Sequence, residues 1–413
     1  MKVLQVIGSM NPRTGGPCEG VRNLATFVSQ QGDGEMEVVC LNDPNSDYLS
    51  NCAFPLYAVG ESRTPWGYHP ALRPWLEKHL PSFDAIILNG LWQYHGYIVS
   101  KLSRHPGSPP YFLFPHGMLD PWFQRTAGRG LKAIRNWSYW KLVEQYVIRN
   151  SEAVLFTSTE EMRLARDTFR PYRPKNQTSV GYGIFPPPQF HPGMSEAFQQ
   201  KCPGIKGRPY FLFLGRIHPK KGIHLLIQGY AALCRAIAGS AMAQLVIAGP
   251  DSETPYGRKM QALASEICPR DSVFWPGMLT GEAKWGAFYN CQASVLPSNQ
   301  ENFGIAVVET LACGRPVLIS DQVNIWLEIK EAGAGLVENN SVAGTTRLFL
   351  NWNTLSTEAQ AKMAAQAKPC FERHFSIEST HRNLMAVLAS GVRVAGASAQ
   401  NLGLPVNGST APH

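Results

Sequence analysis

Two glutamates, Glu301 and Glu309, stand with seven residues between them in "SNQENFGIAVVETLACGRPVLIS", Ser298 to Ser320. Two cations, Arg216 and Lys221, stand in "GRIHPKKGI", directly after an apolar run that ends before Gly215. A carboxylate can orient or accept hydroxyl groups. Cations beside the start of a helix can hold phosphate, because amide N–H groups and the helix dipole add to the side-chain charge. The run "ASVLP" ends at Pro297, Ser298 to Phe303 reads as a loop, and "GIAVVETLAC" is helical in pattern until Gly314. Glu301 therefore falls in the loop and Glu309 in the second helical turn, roughly 8 to 9 Å along. A sugar near Glu301, a diphosphate over the backbone amides of Asn302, Phe303, Gly304 and Ile305, and ribose hydroxyls at Glu309 would fit this ruler. A carboxylate close to phosphates would repel them, so the second one has to be set back along the helix. Taken singly, each glutamate reads as well as a solvated surface charge, and the basic loop as a solvated turn.

These loops need rigid elements to carry them. Short β-rich runs recur in the first half: Val3 to Gly8, Glu37 to Leu41, Ala85 to Gly90, Tyr111 to Gly117 and Ala153 to Ser158. The second half repeats the scheme at Tyr210 to Gly215, Gln244 to Gly249, Ala293 to Pro297 and Pro316 to Ser320. Continuous apolar strands separated by amphipathic segments belong to parallel sheets buried on both faces. The fold class is therefore α/β, with two Rossmann-like, doubly wound parallel-sheet domains facing a central cleft. Three consecutive prolines, Pro186 to Pro188, place the linker and give domains of 1–187 and 188–371. The stretch 390–413 is small, polar and aperiodic, and is expected to be disordered. After the first strand comes "GSMNPRTGGP", where Gly15 and Gly16 either bring backbone close to a ligand or simply turn tightly.

At 413 residues the chain suits two domains, and no apolar run approaches the roughly 20 residues of a membrane-spanning helix. The start "MKVLQVIGS" lacks the features of a secretory signal, so a cytoplasmic location is expected. Nine cysteines, an odd number without a CxxC pair, predict neither disulfides nor structural zinc. Of the formal net charge of +8, a surplus of seven lies between Lys101 and Lys175, with thirteen Lys/Arg against six Asp/Glu. That stretch should face something anionic. Within it, Leu131, Ile134, Trp137, Leu142 and Tyr146 form a stripe that reads as an ordinary core face. The cations Arg125, Arg129, Lys132 and Arg135 read instead as exposed to an anionic bilayer surface or an acceptor.

The run "SNQENFGIAVVETLACGRPVL" together with "GRIHPKKG" resembles the retaining GT-B glycosyltransferases, specifically glycosyltransferase family 4. The resemblance extends to "GGP" at Gly15, Gly16 and Pro17 and to "PHGML" at Pro115 to Leu119, and covers the chain to about His381. It implies that Glu301 and Glu309 bind a sugar-nucleotide donor and that Arg216 and Lys221 hold its diphosphate. It further implies that His116 faces the donor sugar, positioning it and stabilising charge, although a histidine between Pro and Gly is also a common polar turn residue. Gly215, Gly249, Pro250, Gly277 and Met278 join the implied donor site, the last two as part of the base-reading loop. A crossing helix, at about 372–389, is implied to return to the first domain. One departure stands out: the hinge reads Gly181, Tyr182, Gly183, Ile184, not the usual asparagine-glycine-valine-aspartate-like turn.

The resemblance implies front-face transfer with retention, from a UDP- or GDP-sugar to a glycan or lipid-linked glycan acceptor in exopolysaccharide, lipopolysaccharide or glycolipid synthesis. The enzyme would be cytoplasmic or peripheral at the inner face of a membrane. No Asp-x-Asp sequence occurs, so neither a metal nor any other cofactor is required by this reading. A non-hydrolysing sugar-nucleotide epimerase and a non-catalytic nucleotide-sugar-binding subunit share the architecture and stay open. A dehydrogenase is disfavoured because neither half has GxGxxG after its first strand. Nucleic acid is not expected as a partner, since no recognised module accompanies the basic segment.

Overall fold

The computed structural model describes residues 1–32, 34–50, 52–62, 64–125, 130–237 and 242–401. The chain forms two compact units. Unit 1 takes Met1–Ile184 and the chain from Ile377 onward; unit 2 takes Phe185–Ser376.

Unit 1 is built on β1 (Lys2–Ile7), β2 (Glu35–Cys40), β3 (Leu56–Ala58), β4 (Ala85–Asn89), β5 (Tyr111–Phe114), β6 (Ala153–Phe156) and β7 (Gln177–Ser179). All neighbours are parallel, in the order β3-β2-β1-β4-β5-β6-β7. Unit 2 contains β8 (Tyr210–Leu214), β9 (Gln244–Ala248), β10 (Val273–Gly277), β11 (Ala293–Leu296), β12 (Val317–Ser320) and β13 (Gly335–Glu338), again parallel, in the order β10-β9-β8-β11-β12-β13. In each sheet the chain winds outward, then returns to the far side of its first strand. The reversals fall between β1 and β4 and between β8 and β11, the places where open α/β sheets leave a crevice for ligands beyond the strand ends. The central strands are buried on both faces, as β4 and β5 show along their whole length. Trp140, Phe112 and Phe156 fill unit 1, while Phe211, Phe213, Phe288 and Phe349 fill unit 2.

Two expectations need correction. The final helix runs from Ile377 to Asn401 instead of ending near 389, so 390–401 are helical. Residues 402–413 lie outside the described set. The extension is rich in alanine, the best helix former, and Gly391 sits so close to Phe112 that a Cβ there would meet the ring. The second correction concerns the apolar stripe. Ile134, Trp137 and Leu142 are 65%, 54% and 76% exposed, and Tyr146 is exposed as well; the side chain of Leu131 lies outside the described set. The cause is a π-helical turn at Trp140–Glu144, between the helices Gly130–Tyr139 and Gln145–Asn150. A wider turn shifts the helical phase, and Trp140, Glu144, Val147 and Ile148 point inward in place of the stripe.

All nine cysteines are free thiols, seven of them buried. Among the described residues no helix is long and apolar enough to cross a membrane.

Candidate functional site

In unit 2 the site residues gather at the reversal. Gly215 and Arg216 follow β8, and the chain then makes a short turn at Pro219–Lys221 before the helix Ile223–Ala236. Gly222 has φ 69°, and a Cβ there would collide with the carbonyl oxygen of Pro297, at the end of β11. Only glycine lets the two loops come this close. They are laced further by Asn299, whose backbone N–H donates to Lys220 O (2.8 Å) and whose side chain donates to Pro219 O (2.9 Å).

This lacing brings Lys221 to Glu301, and the two form a partly buried ion pair. The backbone of Glu301 is pinned from the other side by the loop after β12: its N–H donates to Gln322 O (2.8 Å) and its carbonyl accepts from Asn324 N (2.9 Å). Gly304, at φ 80°, starts the helix Ile305–Ala312, and no side chain caps it. Phe303 is buried with its ring edge-on to Phe375, so Asn302 to Ile305 would offer a ligand mainly backbone there. Glu309 lies in the second turn and pairs with Lys284 Nζ (2.6 Å), from the helix Gly281–Asn290. Lys284 also stands 4.4 Å from the centroid of the Trp285 ring.

Both glutamates are thus matched by lysines. The Arg216 guanidinium is exposed and has no hydrogen-bond or ion-pair partner among the described residues. Burial, and then the charges of Arg216 and Lys220, hold His218 below the usual imidazole range. The neighbouring loops complete the rim. Gly249 N donates to Gly277 O (2.8 Å), Ile217 N to Pro250 O (3.0 Å), and Met278 is 65% exposed after β10.

In unit 1, Gly15 (φ 93°) precedes the helix Gly16–Gln31, with Pro17 in its first turn. The hinge departure has a local role: the Tyr182 hydroxyl donates to Gly16 O (2.6 Å) and its ring lies against Gly20. His116 follows β5 with φ 53° and stacks on Phe114, ring centroids 4.4 Å apart. Its Nε2 is 2.8 Å from Asn89 Oδ1. Asn89 Nδ2 donates to Gln5 Oε1 (3.0 Å), which leaves Oδ1 as the acceptor and makes Nε2–H of His116 the donor. Burial drives the His116 pKa down to about 3, so the ring is neutral at physiological pH and acts through hydrogen bonds and its dipole, not through a full charge. Glu161 clamps the same loop, accepting from Gly117 N (2.5 Å), Thr157 N (2.8 Å) and Thr157 Oγ1 (2.6 Å).

Arg135, on the helix Gly130–Tyr139, is exposed. Arg129 and the side chains of Arg125 and Lys132 lie outside the described residues. Sequence reasoning missed Asn89, Gln5, Glu161 and Lys284. Asn89 and Gln5 had a readable signal, since each is a polar residue inside an apolar central strand. Lys284 had none, because nothing in its helix marks it apart from any surface lysine.

Two parallel Rossmann-like sheets with this strand order define the GT-B fold. Solved GT-B structures superpose on nearly the whole chain. HepE from Anabaena in complex with UDP and glucose matches with a TM-score of 0.70 at 16% identity, covering 94% of this chain and 100% of that one. WaaG, a glycosyltransferase involved in lipopolysaccharide biosynthesis, gives 0.56 at 17%, covering 95% and 99%. The model for "Glycosyl transferases group 1" matches residues 195–368, and that for "Glycosyl transferase 4-like domain" matches residues 15–183. The chain belongs to the glycosyl transferases group 1 family, with a glycosyl transferase 4-like amino-terminal domain. Among curated relatives, the D-inositol 3-phosphate glycosyltransferase of Nocardia farcinica is 24% identical over 199 residues, 47% of this chain and 43% of that protein. The alpha-D-kanosaminyltransferase of Streptomyces kanamyceticus is 26% identical over 188 residues, 45% and 46%. The matched segment is thus about half the length of these relatives.

Proposed function

We propose that the chain is a retaining glycosyltransferase that moves a sugar from a UDP- or GDP-sugar to a hydroxyl of a glycan acceptor. The observation that carries this reading is the Lys221–Glu301 pair beside an uncapped helix start, with Glu309 one turn further along. HepE, which shares the fold, is solved with UDP and with UDP-glucose. In this reading Arg216, Lys221 and the amides from Asn302 to Ile305 take the diphosphate, Glu301 the sugar and Glu309 the ribose. Gly215, Gly249, Pro250, Gly277 and Met278 shape the walls.

The anomeric carbon–oxygen bond to the diphosphate breaks as the acceptor oxygen bonds the same face. The diphosphate leaves with the electron pair and takes the acceptor's proton. Fixed positive groups at the departing oxygen supply most of the stabilisation. His116, neutral and locked by Asn89, positions the sugar. No step calls on a metal ion. The test is calorimetric titration with UDP and with GDP, each in EDTA, repeated on Glu309→Ala. Binding of one nucleotide, lost in the variant, is expected; binding of neither would sink the assignment.

The exposed stripe favours a membrane-associated acceptor. Ile134, Trp137 and Leu142 project beside Lys141, whose Nζ is 5.6 Å from the Trp137 ring centroid. Lys141 also lines a groove with Arg166, Arg170 and Arg173, with no acidic side chain among the described lining residues; Lys175, at the same groove, is paired with Glu152. Apolar anchors next to cations suit an anionic bilayer surface, where each cation contributes about 1 kcal/mol. A lipid-linked glycan handled at the inner face of a membrane fits this surface. Charge reversal at Arg135, Lys141 and Arg170 should abolish sedimentation with anionic vesicles; a wild-type chain that ignores such vesicles would refute it.

A further inference from the structure

We propose that the cavity beyond β1 and β4 in unit 1 seats an acceptor saccharide whose ring carries a negatively charged substituent, a carboxylate or a phosphate. The word acceptor rests on the transferase reading above; the cavity and its chemistry do not. The cavity has a volume of about 630 Å³, within the range of small-molecule sites.

Three aromatic side chains wall it, Trp66, Trp92 and Tyr139, and each is held by a polar contact. Trp66 Nε1 donates to the Tyr139 hydroxyl (2.5 Å), and Trp66 O accepts from Tyr94 N (2.7 Å). Trp92 sits at φ 71°, where a bulky side chain is strained, and its N–H donates to Glu144 Oε1 (2.6 Å). Glu144 is buried, and its Oε2 has no partner among the described residues. The π-helical turn is what brings Glu144 inward to make this contact. Strained backbone and wide turns persist where a site needs a side chain in one place.

A pyranose ring has an apolar C–H face and a rim of hydroxyls. Tryptophan and tyrosine faces match the first. Ser9, Gln93 and Asn136 line the cavity and match the second. Arg135 is the sole charged side chain among the described lining residues. Among the described residues its guanidinium bonds only Asn136 Oδ1, at 3.0 and 3.3 Å, so most of its donor fork has no described protein acceptor. A neutral sugar would gain little from this cation, whereas a carboxylate or phosphate would take a bidentate, charge-assisted pair. Asn89 also lines this cavity while accepting the His116 N–H, so a ring bound here lies next to the group assigned to the transferred sugar.

The test uses the full chain and three probes: methyl glucuronide, glucose 1-phosphate and uncharged methyl glucoside. Binding is followed by tryptophan fluorescence and saturation-transfer NMR, with UDP and GDP titrated on the same samples. At least one anionic probe should bind more tightly than the glucoside. Arg135→Gln should weaken that probe by about tenfold or more, with no effect on the glucoside or on nucleotide. Trp66→Leu should weaken all three sugars. The tighter anion identifies the source, uronate or sugar phosphate. Equal binding of charged and neutral probes, an unchanged Arg135→Gln, or no sugar binding in a chain that binds nucleotide would each overturn the proposal. Anion-selective sugar binding in a chain that binds no nucleotide would support the cavity and break the transferase reading. Arg135 is on the surface, so its variant reads out even if Trp66→Leu does not fold.

Discussion

Units 1 and 2 share a winding scheme, and each reverses beside its first strand, yet they place opposite chemistry at that point. In unit 2 the loops after β8 and β11 carry charges matched in pairs, Lys221 with Glu301 and Lys284 with Glu309, and leave Arg216 open. In unit 1, β1, the end of β4 and the loop after β5 carry a neutral relay, Gln5 to Asn89 to His116, beside an aromatic cavity. The same fold therefore offers one crevice for a highly charged ligand and one for a hydroxylated ring. The difference lies in the side chains that the central strands and the loops after them present at that point.

The largest expected effect comes from Lys221→Ala, which should lower kcat/KM by about 10²–10³-fold and also weaken nucleotide binding, since it removes one of the two cations proposed to hold the diphosphate and leaves Glu301 without its lysine. His116→Ala should lower kcat by about 10–10²-fold with nucleotide affinity intact. If titration showed nucleotide binding lost equally in both variants, the division of labour between the units would be wrong. Lys284→Met should be smaller, raising donor KM about tenfold at unchanged kcat, with partial recovery in Lys284→Arg.

Acid and alkaline melts sharpen the comparison within unit 1. His95 and His116 are held neutral by burial, near pKa 4 and 3, against 6.5 in an unfolded chain. The unfolded state then binds more protons, so their contribution is complete above 6.5 and lost as pH falls toward 3 to 4. Glu144 has the opposite sign. Burial raises it from 4.5 to about 8, so its contribution is complete below 4.5 and lost as pH rises through 8. Glu144→Gln should flatten the alkaline limb of a plot of Tm against pH and leave the acid limb in place. The smallest effect belongs to Arg347→Ala at the exposed pair with Glu338, where chemical denaturation should find no resolvable change in midpoint.

Every strand read from the sequence is an interior strand, and the four that escaped, β3, β7, β10 and β13, are the four sheet edges. None of their residues is fully buried. An edge is covered less completely, so it leaves no continuous apolar run to recognise. The charged site in unit 2 was readable because its residues sit at interior strand ends in types that have few neutral substitutes. The neutral relay was harder, since Asn89 and Gln5 stand out as polar residues in apolar strands but neither names the other, or His116, as its partner. The exposed stripe misled for a specific reason: its spacing assumed an uninterrupted α-helix, and the turn at Trp140–Glu144 breaks that phase. Lys284 became visible only when two helices met.

Burial of the cysteines has a chemical consequence. It raises the pKa of eight of the nine thiols, Cys40 and Cys370 among them to about 12. The ninth, Cys52, is half-buried with the Arg22 guanidinium 3.3 Å from its sulfur. Because the thiolate is the reactive species, these eight thiols are nearly silent toward alkylating reagents at neutral pH, and replacing Cys52 with serine would remove the remaining one. A cysteine introduced at Met278 would therefore be labelled above a quiet background, and slower alkylation in the presence of nucleotide would report occupancy of unit 2 directly.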